Sequence, residues 1–404
     1  MSKMIYDVGI IGGGVAGAFA ALRIAQNHKK TKAILFDIGR PPGKRRRQLE
    51  GWFGCFPTGD GKIYANDINN VLSIVDGRRA KAINRWVMDN FEEVNPNKVI
   101  KNKPLSAALQ NKIKEAGFEY QLNNYTQWQP DNIHQLSRII ADRIEDTGNV
   151  NFSFDNEIYG ILKRDNGFHL NAAKGDFQCK RLILCTGRSG WRWVNQLYRD
   201  LGILYRDDTA LFGIKVELAG QYIKDFNKSH CTLTRDDLQI GPMSWGGSII
   251  QEDHADLTVS AFRSNEDRWK SDKAFFSIIG KRYFQNSGCK QTDRLGKLAF
   301  LLAGDRVGRE KIRPFMRGES QLNLIPEYSW LPKAIEDISA FIPTIISRGY
   351  FHYPDILPLT SEIRLGNNLE SEVDGLYIAG ENTGISGIAA AAITGGVAAE
   401  SASK

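Results

Sequence analysis

The sequence predicts an α/β fold: a parallel sheet extended by a three-stranded meander, accompanied by a second, mixed α+β domain. Two stretches carry this reading. Near the N-terminus an apolar run, a glycine turn and a helical pattern follow one another without a break, and near the C-terminus a short strand runs into an alanine-rich helix. Val8–Ile11 reads as a buried parallel strand, and from Ala16 apolar residues recur at helical spacing through Ile24. Between them Gly12, Gly14 and Gly17 stand at GxGxxG spacing. In such a turn the first glycine permits the sharp bend, the second admits a pyrophosphate to the backbone, and the third lets helix and strand pack closely.

A second strand, Ala33–Phe36, ends in Asp37, where a dinucleotide site needs a carboxylate for the ribose hydroxyls. An acid there favours an unphosphorylated adenosine ribose, as in FAD or NAD. The turn cluster 39–43 leads into the basic run Lys44–Arg47. Residues 51–62 are too rich in glycine for a helix or regular strand and carry aromatics, which suits either close approach to a flat ligand or a surface loop. Helical patterning covers 67–118, and a further helix over 131–144 leads into a strand over 150–154.

Short strands are expected at 158–162, 167–171 and 177–179, then an apolar strand over 182–185 that closes into Thr186-Gly187. From 210 to 350 the texture changes. Strands over 211–218 and 256–262 alternate with helical segments near 273–283 and 331–341, reading as a substrate domain. The strand at 374–381 and the helix opening at 382–388 then return to the first domain, where the helix N-terminus suits an anion or electron-rich ring atoms. The expected division is a discontinuous cofactor domain (1–66, 130–209, 351–404), a mainly helical insertion (67–129) and a substrate domain (210–350).

The chain has 53 Lys and Arg against 46 Asp and Glu, a net charge of +7, with its basic residues clustered. That balance is compatible with DNA as a partner, with Trp52, Trp191, Trp193 and Trp245 as stacking platforms, or with an anionic substrate or a solvated surface. No apolar run reaches the roughly 20 residues that span a bilayer. The five cysteines are scattered and form no CxxC pair, which argues for reduced thiols, against a flavin-linked disulfide reductase and against zinc. With the first strand starting almost at once, no signal peptide is expected and a cytoplasmic location is.

Taken together, GGGVAG (12–17), Asp37, the meander ending in LILCTG (182–187) and GLYIAGE (375–381) resemble the two-domain flavoproteins of the glutathione-reductase type, with a Rossmann-like FAD-binding domain. More narrowly, the loop GWFGCFPTGDGKI (51–63) and the end GLYIAGENTGISGI (375–388) are similar to a group of FAD-dependent dehydrogenases that includes phage flavoproteins of thymine hypermodification. Phe56-Pro57-Thr58 and Asn382-Thr383 depart from that group's pattern, so substrate identity does not transfer. The resemblance implies non-covalent FAD held by Gly12, Gly14, Ala16 and Gly17, with Asp37 on the ribose and Ile158 beside the adenine. It adds Arg45, Arg46, Thr186, Gly187 and Gly380 to the cofactor set. Glu381 would lie on the ribityl chain, and Gly387-Ile388 would present helix NH groups to the flavin.

The activity so implied is oxidation of a C–N bond of an amine or amino-acid type by hydride transfer to flavin, with an amino-acid-modified thymine as the sharper expectation. The alternatives are an NAD(P)H-dependent flavin reductase of an unsaturated substrate and an FAD-dependent nucleic-acid-modifying assembly protein. No second GxGxxG is visible, which favours the oxidase direction. Two residues stand as catalytic candidates. Lys62 would face the flavin or lie on the surface; His352, flanked by Tyr350 and Tyr353, would be a base, a substrate contact or a structural histidine.

Overall fold

The computed structural model describes residues 5–44, 49–96, 98–254, 256–357 and 361–404. The chain forms two compact units: residues 1–98, 126–207 and 360–404 make the first, and residues 99–125 and 208–359 the second. The elements of unit one are β1 (Ile5–Ile11), α1 (Val15–Asn27), β2 (Ala33–Phe36), β3 (Lys62–Tyr64), α2 (Asp67–Val71), α3 (Gly77–Val94) and α4 (Pro130–Glu145), followed by β4 (Val150–Ser153), β5 (Ile158–Arg164), β6 (Gly167–Ala172), β7 (Gly175–Leu184), α5 (Trp191–Asp200), β8 (Leu376–Ile378) and α6 (Ile388–Ala402).

In unit one the parallel strands run β4, β2, β1, β7, β8, with Ile11 level with both Phe36 and Leu184, and Ile378 level with Leu184. The long strand β7 serves two partners on its far edge. Its first half pairs antiparallel with β6, completing the meander, and its last residues pair with β8. The sequence reading divided this strand at Lys180-Arg181. The structure keeps it whole because its pairing with β1 runs through this point, Cys179 level with Tyr6, Arg181 with Val8 and Leu182 with Gly9.

Both faces of this sheet are covered, so its strands read as apolar runs rather than as alternation. Helices α1 and α6 are buried almost all round, with Ala16, Ala18, Ala390 and Ala398 among their core residues. They pack closely because side chains are missing where they meet: a Cβ on Gly395 would lie 2.1 Å from the carbonyl oxygen of Ala16. Helix α3 joins them, its Arg79 donating to the Val397 carbonyl (2.9 Å) and the Ser401 hydroxyl (2.8 Å). Glu400 pairs with Arg23 of α1 and Arg79 of α3.

Unit two is an antiparallel sheet in the order 308–311, 350–357, 209–219, 273–283, 238–240, 231–235, 119–122, with a separate hairpin over 248–263. Alternate residues of the strand 209–219 (Ala210, Phe212, Ile214, Val216) belong to an apolar core shared with the helices 288–302 and 331–339. Lys215 and Glu217 lie on the other face. Residues 273–283, expected to be helical, are the strand beside this one. Their paired apolar residues suit a strand buried on two faces: Phe276 and Ile278 enter the core, while Phe275 meets Phe262 of the hairpin.

The expected domain limits shift in two places. Of the insertion expected over 67–129, residues up to 98 belong to unit one and 99–125 to unit two, where Glu119–Leu122 pairs with Cys231–Arg235. Of the segment expected over 351–404, residues up to 359 belong to unit two, because Tyr350–Leu357 pairs with strands on both sides, and 360–404 belong to unit one.

A glycine-to-alanine change inside a helix ordinarily stabilises by about 1 kcal/mol. At Gly395 the overlap with the Ala16 carbonyl outweighs that gain. Gly395→Ala is expected to cost about 1–3 kcal/mol net, seen as a lower urea midpoint with an unchanged slope.

Candidate functional site

The glycine turn of unit one has the shape its spacing requires. Gly12 has φ +108°, and a Cβ there would lie 2.4 Å from the Cys185 carbonyl; a Cβ on Gly17 would lie 1.9 Å from the Gly12 carbonyl. Gly14 differs, since among the described residues a Cβ on it would find nothing nearer than the Gly54 Cα at 4.0 Å. Space is therefore left at the N-terminus of α1, where Gly14 offers no side chain to the first-turn NH groups. The Cys185 thiol donates to the carbonyls of Ile11 and Gly12, both at 3.3 Å, and burial raises its pKa, which makes it a structural group.

Asp37 is aimed by the backbone. Its Oδ2 accepts from the Gly13 NH and its Oδ1 from the Gly39 NH, both at 2.6 Å. Ile158 is buried at the start of β5, level with Ala172. Arg45 and Arg46 lie outside the described residues.

The residues read at 186–187 and 380–381 come together, through two side chains that spacing did not reveal. Asn382 is 1% exposed, and its Oδ1 accepts from the Gly187 NH (3.1 Å) and the Thr186 hydroxyl (3.4 Å), while its Nδ2 is buried with no hydrogen-bond partner among the described residues. A buried NH2 left unpaired costs about 1–3 kcal/mol, so this donor suits an acceptor supplied from outside the chain. Glu381 pairs with Arg188 at 2.7 Å. Gly380, at φ +65°, places its NH 2.9 Å from the Thr394 hydroxyl, and a Cβ on it would press on Ala16. Turn, Asp37, Thr186-Gly187 and 380–382 thus gather around the start of α1.

At the start of α6 one NH is taken from within the chain: the Asp67 carboxylate accepts from the Ala389 NH at 3.2 Å. Gly387, at φ +123°, admits it: a Cβ there would lie 2.6 Å from the carboxylate. Burial pushes the Asp67 carboxyl up to about 6, against the pull of the Ala389 and Ala390 NH groups. Lys62 is 8% exposed on β3, with Nζ 2.5 Å from Asp60, which removes the surface reading.

Trp52 is buried and donates to the Ser137 carbonyl (2.9 Å), so it is no stacking platform. Arg79, one of the clustered cations, is committed to α6.

His352 lies in unit two, on the sheet face opposite the apolar core. Its Nε2 is 2.7 Å from Glu217, which also accepts from Arg309 (2.9 Å) and Lys273 (2.7 Å). These partners hold the Glu217 carboxyl far below its usual range although burial opposes them. The carboxylate is then acceptor-only, so Nε2 carries the proton and Nδ1 is the nitrogen left to take another. Beside it Lys215 bonds Ser277 (2.8 Å) and Asp355 (3.1 Å). Among the described residues no group of three or more His, Cys, Asp or Glu is arranged for a metal ion, and no helix is long and apolar enough to cross a membrane.

No family model matches the chain, and no curated protein matches it in sequence. Solved structures align along almost its whole length at low similarity. They include glycine oxidase from Geobacillus kaustophilus (13% identity over 98% of this chain and 94% of that one, TM-score 0.41). NikD, an unusual amino acid oxidase of nikkomycin biosynthesis, aligns at 10% identity over 99% and 94% (TM-score 0.43). L-proline dehydrogenase from P. horikoshii aligns at 11% over 98% and 93% (TM-score 0.43). Likeness at this level assigns neither ligand nor reaction.

Asp67 gives a pH prediction. Its folded pKa, near 6, lies above the ordinary 3.8, so its contribution to stability is complete below about 4 and is lost as pH rises through 6. Asp67→Asn removes that loss. Relative to the unsubstituted chain, the variant is expected to gain up to about 3 kcal/mol between pH 4 and pH 7.5, read from urea midpoints.

Proposed function

We propose that the chain is an FAD-dependent oxidoreductase that oxidises a C–N bond of an amine or amino-acid substrate, with the FAD held non-covalently. The observation that carries this is the cradle at the start of α1: open space at Gly14, a carboxylate aimed by two backbone NH groups, and the orphaned Asn382 amide in the same neighbourhood. These residues fit a dinucleotide. Gly12, Gly14 and Ala16 would lie along the pyrophosphate, Asp37 on the adenosine ribose and Glu381 with Arg188 on the ribityl side. When bound, the flavin supplies an acceptor for the hydride of the carbon beside the substrate nitrogen.

The protein's own part is binding and proton handling. In unit two the face carrying Lys215, Lys273 and Arg309 against Asp355 and Glu217 has one more fixed positive than negative charge, which supports an anionic group on the substrate. His352, held by Glu217 through Nε2, is proposed to take the substrate's proton at Nδ1. Lys62 is proposed as a fixed cation beside the cofactor. The sharper reading, an amino acid carried on thymine in DNA, is supported by the net charge of +7 and weakened by the burial of Trp52.

The purified chain, reconstituted with FAD, is expected to be yellow and to release its flavin on denaturation. Asp37→Ala should weaken FAD binding by about 10–100-fold, the worth of one or two hydrogen bonds to a charged group. Anaerobic bleaching by a panel of amines and amino acids, slowed in His352→Asn, would support the reaction class. A colourless protein, or bleaching by NADPH alone, would overturn it.

A further inference from the structure

Unit two contains a cavity of about 660 Å³ whose lining includes Trp245, Lys224, Lys228, Lys273 and Asp272. That volume lies in the range of small-molecule sites. Trp245 sits on a short strand paired with Ala274, and its Nε1 donates to the Ser229 carbonyl at 3.1 Å, so the indole is held in one orientation. Part of the ring packs on the apolar core and part lines the cavity. Gly220 keeps the wall low: a Cβ there would lie 2.9 Å from the Asp272 carbonyl and 3.9 Å from the indole Cζ3.

The charge around this ring is uneven. Three ammonium groups stand against the single carboxylate of Asp272. Lys273 is already bound by Glu217 at 2.7 Å, whereas Lys224 and Lys228 are exposed and form no ion pair among the described residues. A fixed aromatic surface with two uncommitted cations calls for a ligand that joins a flat ring to an anion, since stacking and phosphate pairing then act together.

We propose that this cavity binds a nucleoside monophosphate, its base on Trp245 and its phosphate on Lys224 and Lys228. The unit is supplied either as a free mononucleotide or as one residue of a single strand. This site lies in a different unit from the flavin cradle and does not depend on the flavin reading.

The test uses the full chain saturated with FAD, so that added nucleotide does not enter the glycine turn. AMP and a 12-residue oligo(dT) are titrated separately. Lys224→Gln with Lys228→Gln, both exposed and safe for folding, should weaken each probe at least about tenfold and reduce the salt slope of oligo(dT) binding by about 0.7, the share of one phosphate contact. Trp245→Ala should leave AMP binding no tighter than inorganic phosphate. Oligo(dT) binding more than tenfold tighter than AMP identifies a single strand as the source; binding within tenfold identifies the mononucleotide. If the chain takes up no FAD, the difference between the unsubstituted chain and the lysine pair variant in the same titration reports on this cavity. Failure of both probes to bind at millimolar concentration, or affinities unchanged in the lysine pair variant, overturns the proposal.

Discussion

The structure of unit one depends on the contact between two helices from opposite ends of its chain. Alanine and glycine line the meeting of α1 with α6, and the backbone of Gly395 comes against the carbonyl of Ala16 where any side chain would hold it off. Gly380 meets the same residue from the turn before α6. This contact brings 380–382 to the start of α1, and with it the Asn382 amide and the Glu381–Arg188 pair. The nucleotide cradle is therefore a product of tertiary packing as much as of the glycine motif itself. Burial of small side chains stabilises little per residue, so many of them must pack together before the contact holds.

Electrostatics divides the two ends of that cradle. The start of α1 has glycine at its cap and open space in front of it, so its partial positive charge remains available to an anion. The start of α6 meets a carboxylate from within the chain. The two helix ends, similar in sequence texture, are thus opposite in what they present, and only the first suits a pyrophosphate.

Much of the cradle was legible because its signals are local. Gly12, Gly14, Gly17 and Asp37 are related by spacing along one strand–turn–helix unit, and the strand into Thr186-Gly187 carries its own pattern. What spacing did not reveal are contacts between residues two or three hundred positions apart: Asp67 with Ala389, Arg188 with Glu381, Asn382 with Gly187. No periodicity encodes such pairs. The strand at 273–283 reads as a helix in the sequence because Phe275-Phe276 and Ile278-Ile279 satisfy a helical pattern as well as a doubly buried strand. The aromatic and β-branched character of these same residues favours the strand, and Gly280 admits Trp330 against the sheet.

The order of the strands has a consequence during synthesis. β1 at Ile5–Ile11 and β8 at Leu376–Ile378, which flank β7 in the sheet, are roughly 365 residues apart, so at about 5–20 residues per second the first leaves the ribosome some 20–70 seconds before the last. Until then the small-residue side of α1 has no partner and faces water or a chaperone. Unit two, whose strands are all complete by residue 357, is free to fold during that wait, and the nascent chain closes its first core only with its final turns.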